Sequence, residues 1–214
     1  MAVIDDSNGD GVIGDATIAV LGVNPNKPFD EQIKVQVRRL DDGELQANWL
    51  FLNGNWTALA LEAVNRAGRT PLLAVLANKA ATGANVVQAR KLSNGSVQRD
   101  TIFFDSDWLA CDVSILTDSS GDGNANDPAY LVLANHPATG RNKVQARRVS
   151  DGARLKNITM LGTNWDGQRV TGTGDISGNL REEVGVLAEK RTDGTIAIQL
   201  KDYEDRSTTA TIFP

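Results

Sequence analysis

Apolar residues in this chain fall in short runs, and Gly, Asn and Asp punctuate them. Leu72-Leu73-Ala74-Val75-Leu76-Ala77 is one such run, and Val132-Leu133-Ala134 lies in another. No long stripe recurs at i, i+3, i+4 and i+7, so the pattern predicts strands and no amphipathic helix. One stretch shows the unit clearly. A partly alternating run opens at Trp56 and ends at Val64, and a turn covers Asn65 to Arg69. The apolar strand Leu72 to Ala77 follows, then a loop from Asn78 to Asn85. Val86 to Leu92 is the next strand, Ser93-Asn94-Gly95 turns the chain, and a last strand runs near Val97 to Phe104. Trp108 restarts the cycle. This is four strands of ordinary length joined by short turns.

The unit recurs. Val35-Gln36-Val37-Arg38 returns as Val87-Gln88-Ala89-Arg90, Val144-Gln145-Ala146-Arg147 and Ile198-Gln199-Leu200-Lys201, at offsets of 52, 57 and 54 residues. Ala81-Thr82-Gly83 aligns with Ala138-Thr139-Gly140, and Trp56, Trp108 and Trp165 mark the boundaries. Repeats of this length build solenoids or propellers. Four strands in each of four units predict an all-β, four-bladed β-propeller. The predicted repeats are 5–56, 57–108, 109–165 and 166–214, in a single domain over 1–214. Met1–Ile4 stands in the place of Ala60–Ala63, so the N-terminal strand is expected to pair with the C-terminal blade and close the ring. Closure of that kind removes an exposed sheet edge.

Composition narrows the function. The 214 residues carry a net charge of −5, which leaves no basic footprint for nucleic acid. No apolar stretch approaches the roughly 20 residues of a membrane-spanning helix, so membrane insertion is not expected. Met1-Ala2-Val3-Ile4 runs into Asp5-Asp6 without a secretory leader, so an exported form is expected to be part of a longer protein. Cys111 is the one cysteine, which excludes an internal disulfide, and its apolar surroundings read as core packing.

The acid excess concentrates in loops. Asp6-Ser7-Asn8-Gly9-Asp10-Gly11 precedes the apolar strand of the first unit, and Asp118-Ser119-Ser120-Gly121-Asp122-Gly123 holds the same place in the third. Oxygens at positions one, three and five wrap a hard cation, Gly at six allows the tight turn, and the carbonyl at seven adds a ligand. The candidate ligands of the first loop are Asp6, Asn8, Asp10, Val12 and Asp15. Those of the second are Asp118, Ser120, Asp122, Asn124 and Asp127. Two Ca²⁺ sites are expected. A third is weaker: Asp175, Ser177, Asn179 and Glu183 keep the oxygen spacing but lose charge at position five. In the second unit Arg69 stands where the acid belongs, so that loop is expected to be metal-free.

Asp-x-Asn-Gly-Asp-Gly before a hydrophobic strand, repeated at blade intervals, resembles the FG-GAP and VCBS repeats of integrin-α-like propellers. The closing acid departs from that pattern, at position ten instead of nine, and the Phe-Gly and Gly-Ala-Pro signatures are missing. The resemblance implies an extracellular or cell-surface, calcium-stabilised module for adhesion or recognition of a glycan or protein ligand, as monomer or homodimer.

The remaining candidates are weaker. Gln36, Gln88, Gln145 and Gln199, with Arg38, Arg90, Arg147 and Lys201 two residues on, share a strand face in every unit. They read as a framework of hydrogen bonds, with a ring for an anion or a sugar as the alternative. His136, the one histidine, reads as an exposed loop residue. Trp56, Trp108 and Trp165 read as packing anchors, whereas Trp49 has no counterpart and is the better surface-recognition candidate. No Ser/His/Asp set, Cys/His cluster or phosphate loop is present. The chain is therefore expected to be non-catalytic. The alternatives are a polysaccharide lyase or hydrolase on a propeller, or a half-propeller that pairs into a larger ring.

Overall fold

The computed structural model describes residues 1–7, 15–23, 33–52, 55–66, 69–120, 122, 127–178 and 182–213. Among these residues every regular element is a strand. The first sheet contains β1 (Ala2–Ile4), β2 (Thr17–Val23), β3 (Ile33–Arg39) and β4 (Leu45–Leu50). The second contains β5 (Thr57–Arg66), β6 (Arg69–Lys79), β7 (Ala84–Lys91) and β8 (Val97–Phe103). The third contains β9 (Leu109–Leu116), β10 (Ala129–His136), β11 (Arg141–Arg148) and β12 (Arg154–Thr159). The fourth contains β13 (Trp165–Gly172), β14 (Glu183–Lys190), β15 (Ile196–Asp202) and β16 (Thr208–Ile212). Each sheet has its four strands in chain order, as a propeller blade does.

The blades form two compact units, Met1–Ile102 and Phe103–Pro214. In the first, Ile4, Ala19, Val35, Val37, Leu73 and Val75 build the core, with Trp49 and Trp56 packed on it. In the second, Leu131, Leu133, Val144, Val170, Val184 and Val186 do so, with Cys111 and Trp165 alongside. In blades two and three the second strand lies between neighbours and is covered on both faces. That is why Leu72 to Ala77 and Ala129 to Ala134 read as unbroken apolar runs and are fully buried. The fourth strands β4, β8 and β12 are mostly exposed, and their sequences are correspondingly polar.

The N-terminal strand differs from the expectation. β1 pairs antiparallel with β2, with Ala2 opposite Ala19 and Ile4 opposite Thr17, and so begins the first blade. The last blade takes its first strand from its own β13. The reason is local. Ala2 and Ile4 point inward and Val3 outward, matching the buried Ala19 and Thr17. A short hairpin also costs less closure entropy than joining the two ends of the chain.

The repeated Gln-x-Arg segment carries a shared irregularity. The ladder between third and fourth strands slips at Val37/Arg38, at Ala146/Arg147 and at Leu200/Lys201. Five residues after each Arg, Gly43, Gly95 and Gly152 turn the chain with φ of 74°, 68° and 72°. In the fourth blade Arg206 takes that place with φ of 64°. The bulge and the left-handed turn together aim the Arg side chain back at the turn.

Candidate functional site

The candidate metal loops join first and second strands. In blades one, three and four their closing acids do the same job. Asp15 accepts from the Ser7 amide at 3.2 Å and from its hydroxyl at 2.7 Å. Ser119 Oγ donates to the Asp127 carbonyl at 2.6 Å and to its carboxylate at 3.3 Å. Glu183 accepts from the amides of Ile176 at 2.7 Å and Ser177 at 3.1 Å. Each acid thus reaches back to the residues just after the opening Asp and closes the loop as a carboxylate bridge.

The opening acids order their own turns. Asp118 Oδ1 accepts from the Ser120 amide and hydroxyl at 3.1 and 3.0 Å, and Asp175 Oδ1 from the Gly178 amide at 2.7 Å. Among the described residues, Asp127 Oδ1 is a buried carboxylate oxygen with no hydrogen-bond partner. Glu183 is fully buried and both its oxygens are engaged by loop amides. Among the described residues no group of three His, Cys, Asp or Glu side chains is gathered for a metal ion. Asn8, Asp10, Val12, Asn124 and Asn179 lie outside the described residues. In the second blade Arg66 of β5 pairs with Arg69, which is exposed at the start of β6.

Glu182, which the oxygen spacing does not single out, ties two loops of the second unit. Its carboxylate accepts from the Thr117 amide at 3.0 Å, the Asp118 amide at 3.2 Å and the Thr117 hydroxyl. The acid pair Glu182-Glu183 was its one signal in the sequence, and the two acids serve different loops.

The repeated Gln and Arg residues form a joint between a blade's third strand and the segment that leads into that blade. Gln88 Oε1 accepts from the Leu52 amide at 3.0 Å and from Arg90 Nε at 3.1 Å, and its Nε2 donates to Asp100 at 2.9 Å. Arg90 also donates to the Gly95 carbonyl at 2.7 Å and lies over the Phe51 ring. The third blade repeats this. Gln145 takes the Phe104 amide at 3.3 Å and Arg147 Nε at 2.9 Å and donates to Asn157 at 2.9 Å, while Arg147 lies over Phe103. Leu52 and Phe104 adopt φ of 48° and 54° to present those amides. Such left-handed backbone at a bulky residue is retained when the surroundings over-determine it. In the fourth blade Lys201 replaces the Arg, and Gln199 Oε1 is buried without a partner. The Gln-Arg pairs thus perform the framework role in blades two and three.

Trp49 packs over the Gly95 turn inside the first unit and is half-buried. His136 ends β10, half-buried, edge-on to Trp108 with ring centroids 5.2 Å apart, so the expected exposed loop position is corrected. The strand extends through His136 because its register with Arg141 continues the hairpin. Cys111 donates to the carbonyls of Leu133 and Gly167 at 3.5 and 3.3 Å. Burial, and then the neighbouring Asp112 carboxylate, push its thiol up to about 12, so it is not a nucleophile at neutral pH.

No protein-family model and no curated protein matches this chain. A solved structure described as that of the Dos1 propeller is similar, with a TM-score of 0.58 and 11% identity. The match covers 91% of this chain and 47% of that one, so the chain spans about half the length of this structural neighbour. At that identity the likeness is one of fold, and it agrees with the four blades: the chain is an all-β propeller assembly built from internal repeats.

Proposed function

We propose that this chain is a non-catalytic, calcium-binding propeller module for recognition or adhesion outside the cell, with a glycan or protein as ligand. The observation that carries the metal reading is Asp127 Oδ1, a buried carboxylate oxygen left without a hydrogen bond among the described residues while the rest of the residue holds Ser119. A buried unpartnered carboxylate oxygen is costly, and a hard cation satisfies it. The donor set fits: Asp118, Ser120 and Asp122 supply hard oxygens from the same loop. Asp6 and Asp15 stand at the equivalent positions in blade one. Bound Ca²⁺ would neutralise these acids and order the loops. The recognition reading draws further support from repeated groups that serve as framework, leaving loops and blade-specific residues to vary.

Thermal unfolding in Ca²⁺ and in EGTA tests the metal reading. Ion binding to the folded state at 100 times Kd adds about 2.7 kcal/mol, a rise of several degrees. Equal midpoints in millimolar Ca²⁺ and in EGTA would remove calcium from the reading. A glycan and matrix-protein array, probed with and without Ca²⁺, tests the recognition reading.

A second reading has one observation in its favour. Phe51 and Phe103 lie under the Arg of the following blade, whereas Phe213 is 60% exposed and leans on Trp165. An exposed aromatic of this kind suits a second copy that extends the ring. A light-scattering mass of one chain at micromolar concentration would rule that out.

A further inference from the structure

The third blade departs from the repeat, and the departure lines a cavity. A space of about 310 Å³ is bounded by Phe104, Asp105, Trp108, Lys143, Gln145, Arg147, Arg154 and Asn157. Three of these are cations against one acid, Asp105, in a chain of net charge −5. Lys143 lies 4.7 Å over the Trp108 ring, and no carboxylate among the described residues forms an ion pair with Lys143, Arg147 or Arg154. Burial, and then the like charge of Arg154, pull the Arg147 guanidinium below its ordinary value. Arg147 and Arg154 therefore repel each other, and an anion brought between them relieves that repulsion.

Comparison with the second blade separates site from framework. Gln145 and Arg147 match Gln88 and Arg90, which hold the blade joint in both places. Lys143 and Arg154 match Val86 and Val97, and Asn157 matches Asp100. Blade two thus builds the same joint without two of the three cations and with an acid at the rim. The extra charge is not needed for the joint.

The chemistry of the walls selects the ligand. About 300 Å³ is the lower end of ligand pockets and suits one or two sugar rings. Guanidinium forks match the planar geometry of a carboxylate. No helix N-terminus, the usual cradle for phosphate, is present among the described residues. Stacked Phe104 and Trp108, 5.5 Å apart, provide an apolar wall for the C–H face of a ring.

We propose that this cavity binds the carboxylate of an acidic sugar, between Lys143, Arg147 and Arg154. The proposal rests on the recognition reading and names its ligand class. The test is calorimetric titration of the whole chain in Ca²⁺ with digalacturonate, lactose and sodium sulfate as probes. Digalacturonate is expected to bind, at least tenfold more tightly than lactose, and more weakly as salt is raised. Lys143→Val with Arg154→Val, which installs the blade-two residues, is expected to weaken it at least tenfold with the melting temperature kept. If that double variant does not fold, Asn157→Asp, which adds charge at the exposed rim, is expected to weaken binding severalfold. No binding of digalacturonate, equal binding by the variants, or sulfate binding as tight as the sugar would overturn the proposal. A neutral glycan found on the array, bound equally by the variants, would overturn the cavity proposal and leave the recognition reading standing.

Discussion

Arg90 Nε donates to Gln88 Oε1 across 3.1 Å, and 57 residues later Arg147 donates to Gln145 across 2.9 Å. The amide oxygen also takes a backbone amide from the segment that leaves the preceding blade, Leu52 in one case and Phe104 in the other. One side chain therefore couples its own turn to its neighbour's exit. The pair explains why Gln and a cation recur together at a spacing of two.

Lysine should not replace this arginine. Arg90→Lys removes the Nε bond to Gln88, the fork to the Gly95 carbonyl and the planar contact with Phe51. The expected loss is about 1–2 kcal/mol in urea unfolding, the cost of under-satisfying a buried amide. Lys201→Arg is expected to move the other way, because Gln199 Oε1 lacks a partner. A neutral Arg90→Lys variant would refute the coupling.

Gly95 sits under Trp49. A Cβ at this residue would lie 2.4 Å from Trp49 Nε1, and φ is 68°. Gly95→Ala is expected to cost about 1–3 kcal/mol, from overpacking added to left-handed backbone strain. Gly43 has the same φ but nothing within 4 Å. Gly43→Ala should therefore cost less, and equal losses in denaturant midpoint would contradict the role given to Trp49.

Arg206 is the converse case. It occupies the left-handed turn that glycine fills in the other blades, with φ of 64° and an exposed side chain. Arg206→Gly is expected to stabilise by about 0.5–1 kcal/mol, since a left-handed L-residue costs about 1–2 kcal/mol and glycine gives part of that back as unfolded-state entropy. Calorimetry would show a higher melting temperature, and a lower one would count against the strain.

Asp112 sets a pH dependence. Burial pushes its carboxyl above the ordinary value of 3.8, against the lowering effect of the Val170 amide at 2.9 Å and of Arg169. A folded-state value above the unfolded one means that the folded chain binds the proton more tightly. Its contribution to stability is thus full below about 3.8 and is lost as pH rises through the raised value. Asp112→Asn keeps an acceptor for Val170 without the charge. Between pH 3 and pH 7 the variant should gain stability relative to the original chain, and parallel pH profiles would exclude this linkage.

Much of the architecture was legible in the chain. Short apolar runs between Gly and Asn turns identify strands, and the fourfold spacing counts the blades, because both signals are local. The second-strand runs Leu72 to Ala77 and Val132 to Ala134 were visible for the same reason. The placement of β1 was not. Met1–Ile4 matches the first strand of any blade equally well, so its partner is decided by register with Thr17–Ala19 and by closure entropy.

The sites divide along the same line. The acidic loops are recognisable because their spacing is sequential, but the use of each oxygen is not. Glu183 faces its own loop while Glu182 reaches the loop of the preceding blade. The cavity of blade three was hidden because Lys143, Arg154 and Phe104 come from different segments and read singly as surface charge or packing. The sequence by itself determined strand type, repeat number and turn chemistry, which depend on neighbours along the chain. Only the tertiary structure decided which carboxylates are spent on loop amides, which strand opens the first blade and where Lys143, Arg147 and Arg154 come together. Those outcomes depend on the distances and burial that folding creates between residues far apart in the chain.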